Sequence, residues 1–408
     1  MRAVIIGAGI GGPAAAVALR RAGIEPVICE ARPAPAGSAG LFLGLGINGM
    51  HVLRELGLLD EVLRRDMAPT PWLEFTSATG RRLGAVPMGR LDERTPSVTL
   101  MRGALQQALV EAAWDRGVTI HHSRRFVGYR EAADGIVARF EDGTEIEGDV
   151  LIAADGIHSA VRRAAFPDAP APSYTGLLNL GGIVRDSGLP PTPDAMRMVW
   201  GWRAFFGYTV RENGEAWWFA NVGQEREPQR GELESVPTEE WRRRLLSLFA
   251  DDAPFIARLI EATPEITATP IHDMPPLPAW HRGRVVLLGD AAHAVSPSAG
   301  QGASLALEDA IVLAKCVRDI PRLEDAFVAF ERLRRERVER VVRFSRERGS
   351  NKAASGPVAR FLRDLLLPFF LKRFADPRSL AWVYSYQVDW AEPLDSQARA
   401  LALEERLA

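Results

Sequence analysis

The chain has 408 residues, a formal net charge of -2 and two cysteines. This charge balance gives no electrostatic support for nucleic-acid binding, although nearly all of the 50 basic residues are arginine. Cys29 and Cys316 form no C-x-x-C pair, which is typical of a reducing compartment without a disulfide scaffold. No apolar stretch reaches the length of a membrane span, and the first apolar run is too short for a signal peptide. We therefore expect a cytoplasmic protein of roughly two or three domains.

The amino-terminal stretch predicts a dinucleotide-binding unit. A β-branched strand over Ala3–Ile6 leads into the turn GAGIGG at residues 7–12, and a helix is predicted over Pro13–Ala22. A second strand, Pro26–Cys29, ends at Glu30. Glycines in such a turn let the backbone approach a pyrophosphate, and an acid about 20 positions on accepts a ribose 2′-hydroxyl. This carboxylate would repel a 2′-phosphate, so the pattern admits FAD or NAD. The alternative is a glycine-rich turn of another α/β fold.

A second G-x-G-x-x-G pattern at residues 44–49 lacks the setting of the first. No clear buried strand precedes it, and no second strand with a terminal acid follows at the expected distance. A loop and a helix over Met50–Leu56 explain the same residues. We therefore predict a single dinucleotide-binding unit.

The following residues alternate between helix and strand patterns. Thr99–Ala113 reads as a helix with Arg102 in its first turn. Because a cation disfavours a helix start, Arg102 indicates either an anionic partner or a surface ion pair. Three short strands follow, separated by Asp-Gly pairs at 134–135 and 142–143, which are hairpin signals. They predict an antiparallel meander inserted into a parallel sheet that resumes at Val150–Ala154.

A change of composition between residues 176 and 222 indicates a second domain. Large aromatic residues crowd into about two strands joined by a tight turn at Glu212-Asn213-Gly214. Most of these rings are expected in a core, and such rings also form a water-poor wall for a flat ligand. A strand pattern over Trp72–Thr79 and a helical pattern over Glu239–Ala262 belong to the same predicted domain.

The stretch from Arg284 to Leu313 organises the rest of the chain. A β-branched strand over Val285–Leu288 stops at Gly289 and Asp290, and a helix is predicted to begin near Gly302. The helix start offers free N–H groups and a positive dipole end, which suit an anion. Asp290 is a hydroxyl acceptor at the carboxyl end of a strand, where open α/β sheets hold ligands. Together these features predict a ligand with a hydroxyl chain and a delocalised negative charge.

Three separated motifs now stand in one order. They are GAGIGG with Glu30, LIAADGIHSAVR at residues 151–162, and LLGDAAHAVSPSAGQGASLALEDA at residues 287–310. This combination resembles the single-component FAD-dependent aromatic hydroxylases, the group typified by para-hydroxybenzoate hydroxylase, over most of the chain up to about Arg348. Ala153 is a departure, because the family usually has glycine there.

The resemblance implies a set of cofactor-binding residues. Gly7, Gly9 and Gly12 would hold the FAD pyrophosphate, and Glu30 the adenosine ribose. Arg102 would contact the phosphate or ribityl side, the backbone of Val127 the adenine, and Asp290 the ribityl chain. Asp155 and Gly156 match an element linked to both FAD and the nicotinamide nucleotide. The other implied cofactor-binding residues are Ala31, and, along the isoalloxazine ring, Pro297, Gly300, Gln301, Gly302, Ala303 and Ser304.

The predicted fold class is α/β, with a Rossmann-type FAD-binding domain that carries the meander, a β-sheet substrate domain and a C-terminal helical segment. The FAD-binding domain is expected to be discontinuous, over residues 1–71, 97–175 and 270–345. Residues 72–96 and 176–269 are assigned to the substrate domain, and 346–408 to the helical segment. Charged residues interrupt the apolar stretch Val358–Phe374, so we expect a helix packed on the body rather than a membrane-surface helix.

The resemblance implies an NAD(P)H- and O2-using monooxygenase that hydroxylates an aromatic or polycyclic small molecule through a flavin C4a-hydroperoxide. Alternatives are a reductase or dehydrogenase of the same fold acting on a prenyl or polyketide-like substrate, and a flavin-bound interaction protein without turnover. Arg203 and Tyr208 are candidate substrate contacts, against the alternative of a sheet-edge arginine and a core tyrosine. His293 is interpreted as shaping its loop, because a lone histidine without a paired acid is weak evidence for catalysis. We expect a monomer or homodimer.

Overall fold

The structure is a computed structural model that describes residues 1–33, 41–132, 134–350, 365–369, 371 and 376–394. Its strands, in chain order, are β1 Arg2–Ile6, β2 Glu25–Cys29, β3 Phe42–Leu45, β4 Met67–Pro69, β5 Trp72–Ser77, β6 Arg82–Pro87, β7 Arg90–Asp92, β8 Thr95–Pro96, β9 Val98–Met101, β10 Thr119–His121, β11 Phe126–Ala132, β12 Gly135–Phe140, β13 Glu145–Gly148, β14 Val150–Ala153, β15 Ser173–Val184, β16 Ala195–Trp200, β17 Phe205–Val210, β18 Ala216–Gly223, β19 Thr267–Asp273, β20 His281–Arg282 and β21 Val285–Leu287. The helices are α1 Gly11–Arg21, α2 Ile47–Glu55, α3 Leu59–Leu63, α4 Arg102–Asp115, α5 Ala160–Ala165, α6 Thr238–Leu248, α7 Pro254–Ala262, α8 Asp290–His293, α9 Gly302–Asp319 and α10 Leu323–Ser350. A short helix, Ala381–Tyr384, follows a 3₁₀ turn near the end of the described residues.

A six-stranded sheet carries the amino-terminal motif. Its strand order is β10-β2-β1-β14-β21-β20, and all neighbours are parallel except β20, which is antiparallel to β21. Strands β1, β2, β14 and β21 are almost entirely buried, as expected for a parallel sheet covered on both faces. The antiparallel meander β11-β12-β13 is inserted between β10 and β14, as the Asp-Gly pairs predict. The α/β class and the inserted meander are thus confirmed.

A seven-stranded sheet, in the order β19-β15-β18-β17-β16-β5-β6, forms the second layer. Its two edges come from distant parts of the chain. Strand β19 forms one edge, and β6 forms the other, next to β5, which pairs in parallel with β16. One face packs on α6 and α7 around a core that includes Phe206, Trp218 and Trp241. The sheet also takes in β19, which runs past residue 269 to Asp273. Where the domains divide stays a prediction.

Two of the predicted helices differ from the structure. Val98–Met101 is a strand that pairs with Phe42–Leu45 and Met67–Pro69, so α4 begins at Arg102 rather than at Thr99. Strand pairing with distant segments overrides the helical spacing there. The predicted helix Glu239–Ala262 is two helices, and Pro254 opens the second of them, where proline is favoured.

Much of the C-terminal segment lies outside the described residues, including most of the predicted helix Val358–Phe374. In the described part after α10, Leu371, Leu380 and Val383 are buried together with Phe75 and Val86 of the seven-stranded sheet, whereas Leu365, Leu366 and Phe369 are exposed. Among the described residues, no helix is long and apolar enough to cross a bilayer.

Gly181 offers a test of the packing between β15 and β18. A Cβ added at this buried glycine would lie 2.6 Å from the backbone oxygen of Trp218, which cannot move without distorting the sheet. We expect Gly181→Ala to lower the free energy of unfolding by about 1–3 kcal/mol, measured by urea denaturation. Gly223→Ala on β18 is the matched control, because a Cβ there meets no atom within 4 Å. Equal effects of the two substitutions would contradict the described contact.

Candidate active site

One cavity of about 1070 Å³ joins the carboxyl ends of the parallel strands to one face of the seven-stranded sheet. At one end it is lined by the turn after β1, the ends of β14 and β21, and the loop before α9. At the other end it is lined by side chains of β15 to β18 and of β5. Ligands of open α/β sheets bind at this edge. The cavity therefore has one end that resembles a dinucleotide-binding site and another end that is lined by the seven-stranded sheet.

The glycine turn at residues 7–12 is built for close approach of a ligand. Gly7 and Gly9 line the cavity, and a Cβ added at Gly9 would meet no protein atom within 4 Å. Gly12 has a different role, because its Cβ would lie 2.0 Å from the backbone oxygen of Gly7. The start of α1 has no side-chain cap and no acidic residue in its first turn. Its free N–H groups are therefore left to an anion in the cavity.

Glu30 is fixed beside this turn by two backbone donors. Its carboxylate accepts hydrogen bonds from the N–H of Ala8 at 2.8 Å and from the N–H of Arg32 at 2.9 Å. Gln106 of α4 supports the same turn by donating to the carbonyl oxygen of Ala8 at 2.6 Å. Both side chains line the cavity, so the turn and its acidic residue form one rigid wall.

Arg102 and Asp290 face the middle of the cavity. Asp290 is exposed to the cavity but surrounded by protein, and this burial raises its pKa. The charges of His293 and Arg102 act in the opposite direction on the pKa of Asp290. Arg102 is the first residue of α4 and thus adds its charge to the positive end of that helix dipole. This combination suits a ligand that carries both hydroxyl and phosphate groups.

Only one of the two carboxylate oxygens of Asp155 accepts hydrogen bonds from the described residues. Its Oδ2 accepts from the N–H groups of Ala160 and Val161 at 2.7 and 3.2 Å, at the start of α5. Its Oδ1 is buried and accepts no hydrogen bond from any described residue. Burial raises the pKa of Asp155, while the hydrogen bonds at α5 act to lower it. Since Asp155 and Gly156 line the cavity, a ligand donor could satisfy this oxygen.

The loop before α9 forms the opposite wall. Pro297, Gly300, Gln301, Gly302 and Ala303 line the cavity. Gln301 is fully buried, and its Nε2 donates to no described residue, whereas its Oε1 accepts from Asn48 at 2.8 Å. The start of α9 has neither a side-chain cap nor an acidic residue in its first turn. This wall therefore presents N–H donors and a positive dipole end to the cavity.

A buried ion network holds this loop from behind. Asp309 of α9 accepts hydrogen bonds from the N–H of Gly289 at 3.0 Å, from His293 at 2.5 Å and from Arg334 at 2.7 Å. Burial alone would raise the pKa of Asp309, but the charges and hydrogen bonds of His293 and Arg334 lower it to about 2. Arg334 also pairs with Glu308 at 2.7 Å, and all three α9 and α10 side chains are fully buried. His293 thus has the acid partner that sequence reasoning missed, and it lies behind the cavity lining rather than in it.

The sheet-lined end is mostly apolar. Alternate residues of β16 face the cavity, namely Met196, Met198 and Trp200, because successive strand residues point to opposite faces. Phe205 of β17 and Phe219 of β18 continue this wall. Two asparagines of the strands add polar groups to this wall, and Asn221 donates to Asn179 at 3.0 Å. The wall is therefore dry and suited to a flat ring, with a small polar site.

The structure places both candidate substrate contacts outside the cavity lining. Tyr208 is on the same strand as Phe205 but three positions later, so it faces α6 and α7 and packs on Phe255. Arg203 lies in the turn between β16 and β17 and pairs with Asp251 at 3.2 Å. The pleat of β17 and the position of the turn explain both placements.

Four of the cofactor residues implied by the resemblance also lie outside the lining. Gly12 and Ser304 are packed inside the fold, where the Ser304 hydroxyl accepts from the N–H of Gly46 at 3.3 Å. Ala31 is half-buried, and the Val127 residue is 58% exposed on the meander. Their roles towards FAD stay predictions.

Sequence reasoning missed other residues of the site. Gln106 was recognisable, because it follows Arg102 by one helical turn and shares its face. Asn48 lies in the second glycine pattern, where the structure has the end of β3 and the start of α2. The expected helix is present but begins at Ile47 rather than Met50, and a strand stands where a loop was predicted, because Phe42–Leu45 pairs with the distant β9. Arg348 and Tyr384 line the sheet end, and no local sequence signal indicates them.

The residues present fit FAD. The uncapped start of α1 and the glycine turn lie at one continuous cavity, and its lining includes Asp155 and Gln301, each of which has a buried polar atom without a partner among the described residues. Residues 1–345 match the family described as FAD binding domain, and the chain belongs to that family.

The relatives define the kind of enzyme more closely. The chain is 32% identical over 380 residues to the aurachin C monooxygenase/isomerase of Stigmatella aurantiaca, and the alignment covers 92% of this chain and 96% of that protein. It is 31% identical over 407 residues to the 6-hydroxynicotinate 3-monooxygenase of Bordetella bronchiseptica, covering 98% and 99%. The structure of Klebsiella pneumoniae HpxO complexed with FAD and uric acid has a TM-score of 0.80 and 28% identity, covering 92% of this chain and 96% of that chain. This chain is an FAD-dependent monooxygenase, as the resemblance implies.

Removing Arg334 tests the buried network. Arg334→Met leaves Glu308 and Asp309 as buried carboxylates without their shared partner, so we expect a loss of about 3–5 kcal/mol in the free energy of unfolding. Thermal and urea denaturation measure this loss. Arg322→Met is the control, because the Arg322 side chain is 56% exposed where it pairs with Glu324 and Asp325, and pairs of an exposed arginine are worth about 0–1 kcal/mol. A loss below about 1 kcal/mol for Arg334→Met would show that the network is not needed for stability.

A substitution at Gly9 distinguishes an effect on cofactor binding from an effect on folding. Since a Cβ at Gly9 meets no protein atom but points into open space at the turn, we expect Gly9→Ala to leave the stability of the FAD-free protein nearly unchanged. We expect the same substitution to weaken FAD binding by about tenfold or more, because the backbone must approach the pyrophosphate closely. Titration of the FAD-free protein, followed by flavin fluorescence, measures the affinity. Unchanged affinity would mean that the pyrophosphate lies elsewhere.

Proposed function

We propose that this enzyme hydroxylates a flat aromatic or heteroaromatic small molecule, with NAD(P)H as electron donor and O2 as oxygen donor. In the balanced reaction one C–H bond becomes C–OH, NAD(P)H is oxidised to NAD(P)+, one proton is taken up, and the second oxygen atom leaves as water. The observation that carries the proposal is the single cavity that joins the FAD-fitting end to the wall of aromatic and methionine side chains. The names of relatives support it, since they refer to hydroxynicotinate and urate hydroxylation.

Different residues of the chain would hold the different parts of FAD. Gly7, Gly9 and Glu30 would hold the ADP half, Arg102 and Asp290 the ribityl side, and the loop at 300–303 the flavin ring. When bound, FAD supplies the two-electron exchange with NAD(P)H and the activation of O2. The uncapped start of α9 stabilises negative charge that develops beside the loop, because its dipole and N–H groups point there.

Side chains of the sheet exclude water from the reacting region. The side chains of Met196, Met198, Phe205 and Phe219 are apolar, so they would exclude water from the region where bound FAD would activate O2. Asn179 and Asn221 are placed to orient a polar ring substituent. Since the hard step belongs to the cofactor, the protein needs little acid or base chemistry of its own.

Oxygen consumption tests this function. We expect aromatic substrates to accelerate NAD(P)H oxidation and O2 uptake by the FAD-loaded enzyme, and the product to gain one oxygen atom. With ¹⁸O2 the label appears in the product, as measured by mass spectrometry. Substrate conversion that proceeds without O2 and yields a reduced product would establish the reductase alternative instead. Flavin that no electron donor can reduce, with any aromatic ligand, would establish a binding protein without turnover.

A further inference from the structure

The side chains at the sheet-lined end of the cavity stand in rows across the seven-stranded sheet. Residues that are opposite one another in the strand register point to the same face. One row crosses β15, β18, β17 and β16 and consists of Asn179, Asn221, Phe205 and Trp200. The asparagine pair therefore lies at the β15 side of the cavity face, and aromatic rings continue the row towards β16.

The next row on the same face is apolar. Phe219 of β18 covers Gly207 of β17, because a Cβ added at Gly207 would lie 2.2 Å from Cε1 of the Phe219 ring. Gly207 is opposite Met198 of β16, and Met198 is opposite Phe75 of β5. Phe219, Met198 and Phe75 all line the cavity. They form an apolar strip that runs from β18 to β5.

At the β5 side this strip joins a cluster that also includes the C-terminal part of the chain. A Cβ added at Gly84 of the edge strand β6 would lie 3.0 Å from Leu371, so Leu371 packs directly on the sheet. Six cavity-lining residues belong to this cluster, here called the edge cluster: Leu73, Phe75, Met88, Met198, Leu367 and Leu371. Tyr384 and Arg348 also line the cavity, and the Arg348 guanidinium carbon lies 4.3 Å from the ring centre of Phe344. All six side chains of the edge cluster itself are apolar.

The cavity face is longer than a small aromatic ring requires. From β15 to β5 there are four strand spacings of about 4.8 Å, so Asn179 lies about 19 Å from β5 across the face. A compound of one or two fused rings covers only part of this distance. Leu73 and Met198 line the cavity and are only half-buried. Water against such apolar side chains is unfavourable, so an apolar group that covers them gains free energy.

We propose that the edge cluster is a binding site for a hydrocarbon chain that the aromatic substrate carries. It is continuous with the aromatic and asparagine row, so one elongated molecule can contact both. Methionine side chains adapt to different shapes, which suits a flexible chain rather than a second rigid ring. The enzyme therefore selects aromatic compounds with an apolar chain over the same ring without one. This assignment rests on the proposed function, because it takes the sheet-lined end as the substrate site.

A series of phenyl ketones tests the assignment without any turnover. The FAD-loaded full chain is titrated with acetophenone, butyrophenone, hexanophenone and octanophenone, and binding is followed by the change in flavin absorbance. Each ketone keeps the same ring and carbonyl group and differs only in its alkyl chain. We expect each added methylene group to tighten binding about two- to fourfold as far as hexanophenone, because each is buried on apolar side chains.

Two substitutions in the edge cluster locate the chain. Leu73→Trp fills the space beside β5, so we expect it to reduce the advantage of hexanophenone over acetophenone to about threefold or less. Met198→Gln keeps the length of the side chain but makes it polar, and it should reduce the gain per methylene group. Both variants should bind acetophenone within about twofold of the natural enzyme. Trp72→Leu is the matched control, because it exchanges the same two residue types on the same strand at a position that is 41% exposed.

The control variant should keep the natural dependence on chain length, and the flavin content of each variant reports correct folding. An affinity that does not rise from acetophenone to hexanophenone would overturn the proposal, as would undetectable binding of all four ketones. So would a dependence on chain length that survives both Leu73→Trp and Met198→Gln. Weaker FAD binding in these variants with an unchanged chain preference would assign the edge cluster to the flavin instead. Failure of hydroxylation alone would leave the binding results intact and would count against the proposed function only.

Discussion

The site depends on how the negative charges of two buried carboxylates of α9, Glu308 and Asp309, are neutralised by positively charged side chains. Asp309 has no contact with solvent, yet it binds the turn at Gly289, the ring of His293 and the guanidinium of Arg334 at once. Burying such charges is unfavourable unless every one is paired and hydrogen-bonded. These contacts hold the strand end that carries Asp290 against α9 and α10, at the cofactor-fitting end of the cavity.

The same network reaches the substrate end. Glu308 accepts hydrogen bonds from Arg337 at 2.7 and 2.8 Å and from Asn48 at 2.6 Å, and Arg337 in turn binds the carbonyl oxygen of Val383. The loop before α9, the start of α2 and the short helix Ala381–Tyr384 are thus all bound by the same set of charged side chains. A buried ion pair by itself is weak evidence for stability, but it fixes geometry where several segments must meet. Here it fixes the position of the cofactor-fitting end of the cavity relative to the sheet-lined end.

The seven-stranded sheet serves two purposes because strand side chains alternate. One face gives α6 and α7 an aromatic core, and the other gives the cavity a dry wall. This division explains why an aromatic-rich segment contains both structural and site residues. It also keeps the polar groups of the wall few and specific, as Asn179 and Asn221 illustrate. Substrate choice can therefore be controlled by very few side chains, while the flavin carries the chemistry.

The sequence by itself determined the class of fold, the cofactor and most of the residues that line the cofactor-fitting end of the cavity, because these depend on local patterns. The glycine turn with Glu30, the Asp-Gly hairpins and the strand ending at Asp290 each follow from residues close together in the chain. Only the tertiary structure decided which face of β17 meets the cavity, since alternation separates Phe205 from Tyr208 but does not say which side α6 and α7 cover. Asn48 reaches Gln301 across 253 residues, and Tyr384 joins the cavity lining because the short helix Ala381–Tyr384 packs on α10. Contacts of that kind are created by packing, so no local pattern could predict them.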